Sequence, residues 1–288
     1  MRVVSILNHK GGVGKTTFSG SIAQALALIG YRVLAIDNDG QHNLSSLLGV
    51  GVVNPGIREV YCSSPEKAPS QFLKGVRKSG LPSLHIIASN RDLSNGDVSD
   101  VNQLKHAITA CRLDRYYDFV IIDNAPGIDR LQAASIIASD EIFVPVELRQ
   151  FAIDGLVEMN EIISERFPDG AKISRIVPNF YRSTLRQNAF LKRLNELFPG
   201  KVTETAIPVD QVFDEVVTDG KILFLHRLYS KGAAYYLKIV HELFNLSEES
   251  VWEQVKEKRK IHISNTARKR SHAKKEQDVQ ESESEEED

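Results

Sequence analysis

The chain has 288 residues, 42% of them hydrophobic, which is enough to bury a substantial core in one large domain or two small ones. Its 36 Lys and Arg and 38 Asp and Glu give a formal charge of -2, so net charge provides no argument for a nucleic-acid partner. The separated cysteines, Cys62 and Cys111, argue against a disulfide framework or structural zinc, and the lack of a signal peptide pattern or a long apolar run predicts a cytoplasmic protein without a membrane span.

Short apolar runs alternate with helical patterns along the chain, and the runs are apolar at nearly every position, as in a sheet covered on both faces. The predicted strands are Val3–Leu7, Arg32–Ile36, Leu84–Ala88, Phe119–Ile122, Glu141–Val146 and Ile173–Val177. The predicted helices are Lys15–Ile29, ended by Gly30, then Leu131–Ala138, Ile153–Glu165, Thr184–Leu197 and Ala233–Phe244. This alternation predicts an α/β fold with a mostly parallel, twisted sheet flanked by helices on both faces. Residues 50–82 are expected to form loops and short helices.

The segment Asn8–Thr17 follows the first predicted strand and opens the first predicted helix, which is the context of a phosphate-binding loop. Its glycines allow the backbone N–H groups to turn inward, and the helix adds its N-terminal partial positive charge. Lys15 is expected to contact the β- and γ-phosphates of ATP, and the Thr16 hydroxyl to ligate Mg²⁺. The predicted nucleotide-binding loop consists of Lys10, Gly11, Gly12, Val13, Gly14, Lys15, Thr16 and Thr17.

One position departs from the general phosphate-loop pattern, which has a glycine where this chain has His9. The pattern K-G-G-x-G-K-[ST] fits instead, and in it the chain resembles the deviant Walker A loop of the ParA, MinD and nitrogenase iron protein superfamily. The resemblance implies a P-loop NTPase fold. In that family the extra lysine, here Lys10, reaches the nucleotide of the partner subunit, so the resemblance also implies a homodimer that forms with ATP.

A polar cluster, residues 37–43, follows the second predicted strand, and ligands bind at the carboxyl ends of parallel strands. An acid there can order a Mg²⁺ shell or orient a water molecule, although an Asp pair after a strand is by itself typical of a turn or a helix cap. The cluster resembles the family's switch I, which implies that Asp39 orients the attacking water and Asp37 supports the metal site. Gly40 stands where the family has proline, which puts the rigidity of this loop in doubt.

A hydrophobic strand pattern ending in Asp123 is the Walker B arrangement, in which the carboxylate binds Mg²⁺ directly or through water. The residues that follow resemble the family's switch II, where the backbone N–H of Gly127 would contact the γ-phosphate. The predicted catalytic residues are Lys10, Lys15 and Asp39, and the predicted metal-binding residues are Thr16, Asp37 and Asp123.

The resemblance covers residues 1–245. It implies that two late segments cradle the adenine, and their candidate residues are Asn179, Pro208, Val209 and Asp210. For Asn179, a base-edge hydrogen bond and a buried loop asparagine are equally compatible with the sequence.

Features elsewhere in the chain distinguish the members of this superfamily. No cysteine follows Asp123, which excludes the cluster of nitrogenase iron proteins, and no amphipathic C-terminal helix is evident, which argues against membrane recruitment like that of MinD. The ParA interpretation implies non-specific DNA binding through a local patch of basic residues, although isolated bases on a helix are usually only solvated. The candidates are Arg182, Arg186, Lys192, Arg193, Lys221, Arg227 and Lys231.

The sequence predicts an ATPase domain over residues 1–250 and a charged, disordered tail over residues 251–288. The tail is basic over 256–275 and acidic over 276–288. The resemblance implies a slow Mg²⁺-dependent ATPase, stimulated by a ParB-like or other partner, that associates with the nucleoid and positions a plasmid, chromosome or protein cargo. Two alternatives are a MinD-like regulator of a protein partner without DNA binding, and a nucleotide-sensing module that does not hydrolyse ATP.

Overall fold

A seven-stranded sheet forms the centre of the residues that the computed structural model describes, which are 1–219, 222–247, 249 and 251–264. The strands are β1 (Arg2–Ile6), β2 (Val33–Asn38), β3 (Val76–Lys78), β4 (Leu84–Ile87), β5 (Phe119–Asn124), β6 (Glu141–Glu147) and β7 (Lys172–Asn179). They lie in the order β3-β4-β2-β5-β1-β6-β7, and only the edge strand β3 runs antiparallel to its neighbour. The predicted α/β fold with a mostly parallel sheet is therefore confirmed.

Helices cover both faces of this sheet, as the uniformly apolar strands predict. They are α1 (Lys15–Leu28), α2 (Asn43–Leu47), α3 (Ile57–Cys62), α4 (Ala68–Gly75), α5 (Gln103–Ala110), α6 (Arg130–Ala138), α7 (Gln150–Arg166), α8 (Leu185–Leu197), α9 (Val212–Asp219), α10 (Leu223–His226), α11 (Lys231–Phe244) and α12 (251–264). One core cluster packs α1, α2 and α11 against the sheet. A second packs the four helices α3, α4, α5 and α6 against the sheet, and a third packs α7 and α8 against β6 and β7. Within the described ranges no helix is long and apolar enough to cross a membrane.

The five predicted helices are present, with bounds that differ by up to three residues. Gly30 follows α1 with a φ of 102°, the left-handed backbone that ends a helix at little cost when the residue is glycine. Within residues 50–82, α3 and α4 are the expected short helices, whereas β3 is an additional strand.

The segment predicted to be a disordered tail begins with a helix, so the prediction is corrected for residues 251–264. Val251 and Val255, one helical turn apart, are buried in the cluster that contains Phe244, and Trp252 packs beside them. This apolar stripe stabilises α12 although its remaining surface is rich in Lys and Arg. Residues 265–288, with the acidic run and the rest of the basic run, lie outside the described residues.

Candidate functional site

The loop between β1 and α1 has a tightly curled backbone. Gly12 and Gly14 have φ values of 71° and 86°, in the left-handed region that glycine adopts without a steric penalty. The Asn8 side chain braces the loop, because Nδ2 donates to the Pro145 carbonyl at 2.7 Å and Oδ1 accepts from the Lys10 N–H at 2.8 Å. The loop ends at the N-terminus of α1, whose first backbone N–H groups have no partner within the helix and are available to an anion.

Lys15 lies inside this loop. Only 6% of the residue is exposed, and its Nζ donates to the Lys10 carbonyl at 3.1 Å. Burial lowers the pKa of the Lys15 ammonium, while the carboxylates of Asp123 and Asp39 act in the opposite direction. A largely desolvated ammonium beside inward-facing backbone is positioned to bind a phosphate oxygen.

Lys10 has the opposite environment. Its side chain is 53% exposed, and its Nζ lies 3.6 Å from Oε2 of Glu147. Glu147 also contacts the guanidinium of Arg149 at 2.6 Å. The two lysines of the motif are therefore different in kind, because one belongs to the interior of the loop and the other to the surface beside it.

Asp37 and Asp123 lie side by side at the carboxyl ends of β2 and β5, where the parallel register pairs them. Both side chains are fully buried, and burial raises the pKa of each to about 7. Oδ2 of Asp37 accepts from the N–H and the hydroxyl of Ser45 at 2.8 and 2.6 Å. Two neighbouring buried carboxyl groups resist ionising together, so this edge of the sheet favours a bound cation.

The oxygen atoms around Asp123 fit Mg²⁺. The hydroxyls of Thr16 and Ser19 donate to its Oδ2 and Oδ1, each at 2.7 Å. Mg²⁺ is commonly held by one or two carboxylates together with substrate phosphates, and Thr16 and Asp123 supply such oxygens. In the described part of the chain, no group of three or more His, Cys, Asp or Glu is arranged to hold a metal. Ser19 was not predicted, because a serine within an apolar helix carries no motif.

The loop after β2, predicted to be switch I, contains Asp39, which is 9% exposed and whose Oδ1 accepts from the Gln41 N–H at 2.9 Å. A Cβ atom on Gly40 would lie 2.6 Å from the Leu93 carbonyl oxygen. The neighbouring backbone therefore leaves no room for a side chain here, which accounts for the glycine in place of proline. His42 follows with a φ of 59°, and its Nδ1 lies 2.5 Å from the Ser89 carbonyl oxygen, so contacts to the next loop hold this segment.

The segment after β5, predicted to be switch II, turns at Gly127, which has a φ of 104°. Pro126 packs beside the first loop, since its Cγ lies 3.6 Å from the position that a Cβ on Gly11 would take. Gly127 is thus near the loop, but a contact between its N–H and a phosphate stays a prediction. The exposed His9 has no described side-chain contact that explains its presence.

Asn179, at the end of β7, is tied to the phosphate loop. Its Nδ2 donates to the Val13 carbonyl and its Oδ1 accepts from the Phe180 N–H, both at 2.9 Å. A Cβ on Gly14 would lie 2.5 Å from that Nδ2. These bonds match the buried loop asparagine of the two interpretations, and a hydrogen bond to a base edge stays a prediction.

Pro208, the next residue predicted to cradle adenine, forms a parallel bridge with Tyr181, and Val209 and Asp210 follow it. Val209 is 41% exposed. The Asp210 carboxylate accepts from the N–H groups of Val212 and Gly232 at 3.1 and 2.7 Å. Asp210 therefore ties the starts of α9 and α11 together, which leaves Val209 as the freer of the two side chains.

Two of the basic residues predicted to bind DNA share a cavity. Arg182 and Arg186 line it together with Arg149, at the starts of α7 and α8. Phe151, on the same cavity wall, is 90% exposed. Guanidinium groups beside an open aromatic ring are suited to a phosphate-bearing ligand.

Among the remaining basic candidates, Arg193 lies beside that cavity, since its guanidinium donates to Oε1 of Gln150, a lining residue, at 2.9 Å. Lys192 and Arg193 lie on α8, where they form exposed ion pairs with Glu196 at 4.0 Å and Asp154 at 3.6 Å. Arg227 follows α10 and pairs with Glu215 at 2.9 Å. Lys231 begins α11, and Lys221 lies outside the described residues. The predicted patch is thus divided between at least two parts of the surface.

Comparison with known proteins finds relatives that match most of the chain. The sequence profile of the family described as AAA domain matches residues 1–169. The chromosome partitioning protein ParA of Caulobacter vibrioides is 32% identical over 257 residues, which cover 85% of this chain and 94% of that protein. An ATP complex of a McdA variant from Cyanothece has a TM-score of 0.73 at 21% identity and covers 86% of this chain and 97% of that one. The septum site-determining protein MinD of Pyrococcus horikoshii, complexed with Mg-ADP, has a TM-score of 0.69 at 24% identity and covers 84% and 95%.

Proposed function

The chain belongs to the ParA family of partition ATPases, and from that premise we propose that it hydrolyses ATP with Mg²⁺ and forms a homodimer with ATP. The observation that carries the proposal is the unequal placement of Lys15 and Lys10. One lysine is buried inside the phosphate loop, whereas the other is 53% exposed beside it. An exposed lysine at the rim of a nucleotide site is available to a nucleotide held by a second subunit.

The residues of the site divide the work of phosphoryl transfer, which depends mainly on positioning and on neutralising charge. The curled backbone and Lys15 bind the phosphates. Asp39 orients the attacking water. Thr16 and Asp123 would hold Mg²⁺, with Asp37 as a support, and the ion supplies positive charge to the phosphate oxygens when it is bound. Hydrolysis is slow until a partner protein stimulates it.

The dimer binds duplex DNA without sequence preference, through counterion release at basic side chains. Arg182 and Arg186 are the best-placed candidates because they line a cavity with a third arginine, Arg149. The protein then acts in the cytoplasm on the nucleoid, and its cargo is a plasmid or chromosome complex bound by a ParB-like partner, or a protein assembly.

The ATP switch is tested by light scattering and phosphate release on the full chain with Mg-ATP and Mg-ADP. We expect dimers with ATP only, and slow phosphate release. Asp39→Ala should bind ATP, release no phosphate and remain a dimer, because it lacks the group that orients water. A monomer with both nucleotides, or normal hydrolysis by Asp39→Ala, would contradict the proposed switch.

DNA binding is tested by filter retention of a generic duplex at low salt. We expect retention with ATP but not ADP, and a loss of about tenfold in affinity for the double variant Arg182→Ala/Arg186→Ala, because each base contributes through released counterions. Lys74→Ala/Lys105→Ala is the matched control, since it removes two exposed charges on α4 and α5. Equal losses in both double variants would reject this surface, and no ATP-dependent retention would favour a regulator that does not bind DNA.

A further inference from the structure

A buried pair of asparagines lies beside the candidate site. Asn38 and Asn124 are paired in the register of β2 and β5, one residue beyond Asp37 and Asp123. They are 0% and 1% exposed, and Nδ2 of Asn38 donates to Oδ1 of Asn124 at 2.8 Å. Neither residue belongs to the phosphate loop or to the predicted metal set.

Each amide of this pair has further partners. Nδ2 of Asn38 also donates to the Leu131 carbonyl at 3.0 Å, and its Oδ1 accepts from the Tyr61 hydroxyl at 3.0 Å. Nδ2 of Asn124 donates to the Ile6 carbonyl at 3.2 Å. Because the Leu131 and Ile6 carbonyls can only accept, the orientation of both amides is fixed. The polar atoms of the pair are therefore satisfied as one network, which specifies a single arrangement of the elements that it joins.

The joined elements are those that carry the site. Asn38 immediately precedes Asp39, Asn124 immediately precedes the turn to Gly127, and Ile6 ends the strand before the phosphate loop. The main chain adds a second link, since the Ala125 N–H donates to the Asn38 carbonyl at 3.4 Å. A shift of one switch loop therefore moves hydrogen-bond partners of the other.

Packing alone gives no reason for amides at these two positions. Their strand neighbours at buried positions are mostly apolar, and replacing both partners of a buried hydrogen bond by apolar groups of similar shape is often nearly neutral for stability. Two buried amides do, however, fix a register and an orientation that apolar side chains would leave free.

We propose that Asn38 and Asn124 are positioning residues that couple the switch I loop, which carries Asp39, to the switch II loop, which carries Gly127. The proposal rests on the ATPase function proposed above. The pair makes no described contact with the residues predicted to bind nucleotide. It holds the carboxylate that orients water and the backbone that senses the phosphate in one fixed relation.

A double-variant cycle separates this role from a structural one. Asn38→Leu and Asn124→Leu are made singly and together in the full chain, and the urea midpoint, the ATP affinity and the single-turnover hydrolysis rate are measured. Each single variant leaves amide groups without partners, so its midpoint and hydrolysis rate should both fall. The cycle is made on a Tyr61→Phe background, so that no buried hydroxyl loses its acceptor. In the double variant we then expect the midpoint to recover most of the loss and ATP affinity to stay within about threefold of wild type, while hydrolysis stays about tenfold or more below it.

Recovery of hydrolysis together with stability in the double variant would overturn the proposal. Hydrolysis by the wild-type chain measures the proposed ATPase activity itself, whereas the ratio of variant to wild type measures the contribution of the pair. Failure of the coupling is thus distinguishable from failure of the proposed function.

A milder substitution tests the same network from its far end. Tyr61→Phe removes only the hydroxyl that donates to Asn38, and we expect kcat to fall about threefold with KM unchanged, as for an interaction made mainly in the transition state. Tyr117→Phe is the matched control, because its buried side chain bonds His85 instead, at 3.0 Å, and we expect no change. Equal effects of the two substitutions would overturn the proposal.

Discussion

The two ends of the central strands carry acidic residues in contrasting surroundings. At the amino ends, Glu141 accepts from the Arg2 guanidinium at 2.8 Å, and Asp118 from that of Arg32 at 2.7 Å. At the carboxyl ends, Asp37 and Asp123 are fully buried, and no salt bridge found in the described part of the chain includes either.

This difference separates acids that the chain neutralises itself from acids that it leaves for a ligand. The guanidinium groups at the amino ends balance their carboxylates. The carboxyl ends provide hydroxyl donors and one buried ammonium, which leave charge to be balanced by a cation and phosphates. The following substitutions should therefore affect ligand binding at one end and only stability at the other.

The largest effect should come from Lys15→Ala. Loss of a buried ammonium from the phosphate loop should weaken ATP binding on the order of 1,000-fold, as expected when a desolvated charged partner is removed. Binding is measured by calorimetry. Lys10→Ala is the control, and it should bind ATP normally while losing the ATP-dependent dimer. Similar ATP affinities for the two variants would contradict the different roles proposed for the two lysines.

Gly14→Ala should cost about 2–3 kcal/mol in free energy of unfolding, because it combines a left-handed backbone with overpacking. The added Cβ would lie 2.5 Å from Nδ2 of Asn179 at a φ of 86°. Gly12→Ala meets no atom within 4 Å at a φ of 71° and should cost about 1 kcal/mol. Urea unfolding of both variants measures the difference, and equal losses would argue against a tight contact between the loop and β7.

Ser19→Ala should weaken Mg²⁺ binding in the presence of ATP by about tenfold, since residues that orient a metal ligand typically have effects of this size. The substitution frees one oxygen of Asp123 from its 2.7 Å hydrogen bond. Titration of Mg²⁺ at fixed ATP gives the readout. Ser21→Ala, on the same helix and facing Tyr236, should leave the titration unchanged, and a shift of equal size there would indicate a general effect of loosening α1.

The smallest effect is expected at the amino ends. The hydrogen bond from Arg32 holds the pKa of Asp118 below its ordinary value, so the pair stabilises the fold above the unfolded pKa of Asp, about 4, and loses this contribution as the pH falls below it. Asp118→Asn should reduce stability slightly at pH 7 and flatten its decline in acid, without changing ATP affinity. Urea midpoints are measured between pH 3 and 7, with Asp114→Asn, in an exposed pair with Arg112, as the control. A changed ATP affinity in Asp118→Asn would contradict the expectation that acids at the amino ends affect only stability.

Sequence reasoning was sufficient where chemistry is local. The glycines, Lys15 and Thr16 form one contiguous motif, and Asp123 ends an unbroken apolar strand. Because the carboxyl ends of parallel strands lie at one edge of a sheet, these residues are predicted to meet there. The same reasoning predicted six of the sheet's strands but not β3, because Val76–Lys78 is too short to show alternation.

The remaining features depend on contacts between distant segments. Gly40 could be explained only when the Leu93 carbonyl was found against it. Ser19 carries no motif, and the patterns that contain Asn38 and Asn124 assign no role to either, because a buried polar residue becomes meaningful only once its partner from another element is known. The helix 251–264 was not predicted, because the many charged residues around Val251 and Val255 conceal the helical spacing of these two apolar side chains.

The helix α12 has a practical consequence for labelling. Its last turns line a cavity with Leu28 and Leu81, at the end of α1 and before β4, on the amino side of the sheet. A fluorophore at Ile263, which is 46% exposed, would therefore lie across the molecule from the phosphate loop. With the exposed Cys62 replaced and Cys111 buried, Ile263→Cys would provide a single attachment point for following dimers by energy transfer without crowding the nucleotide.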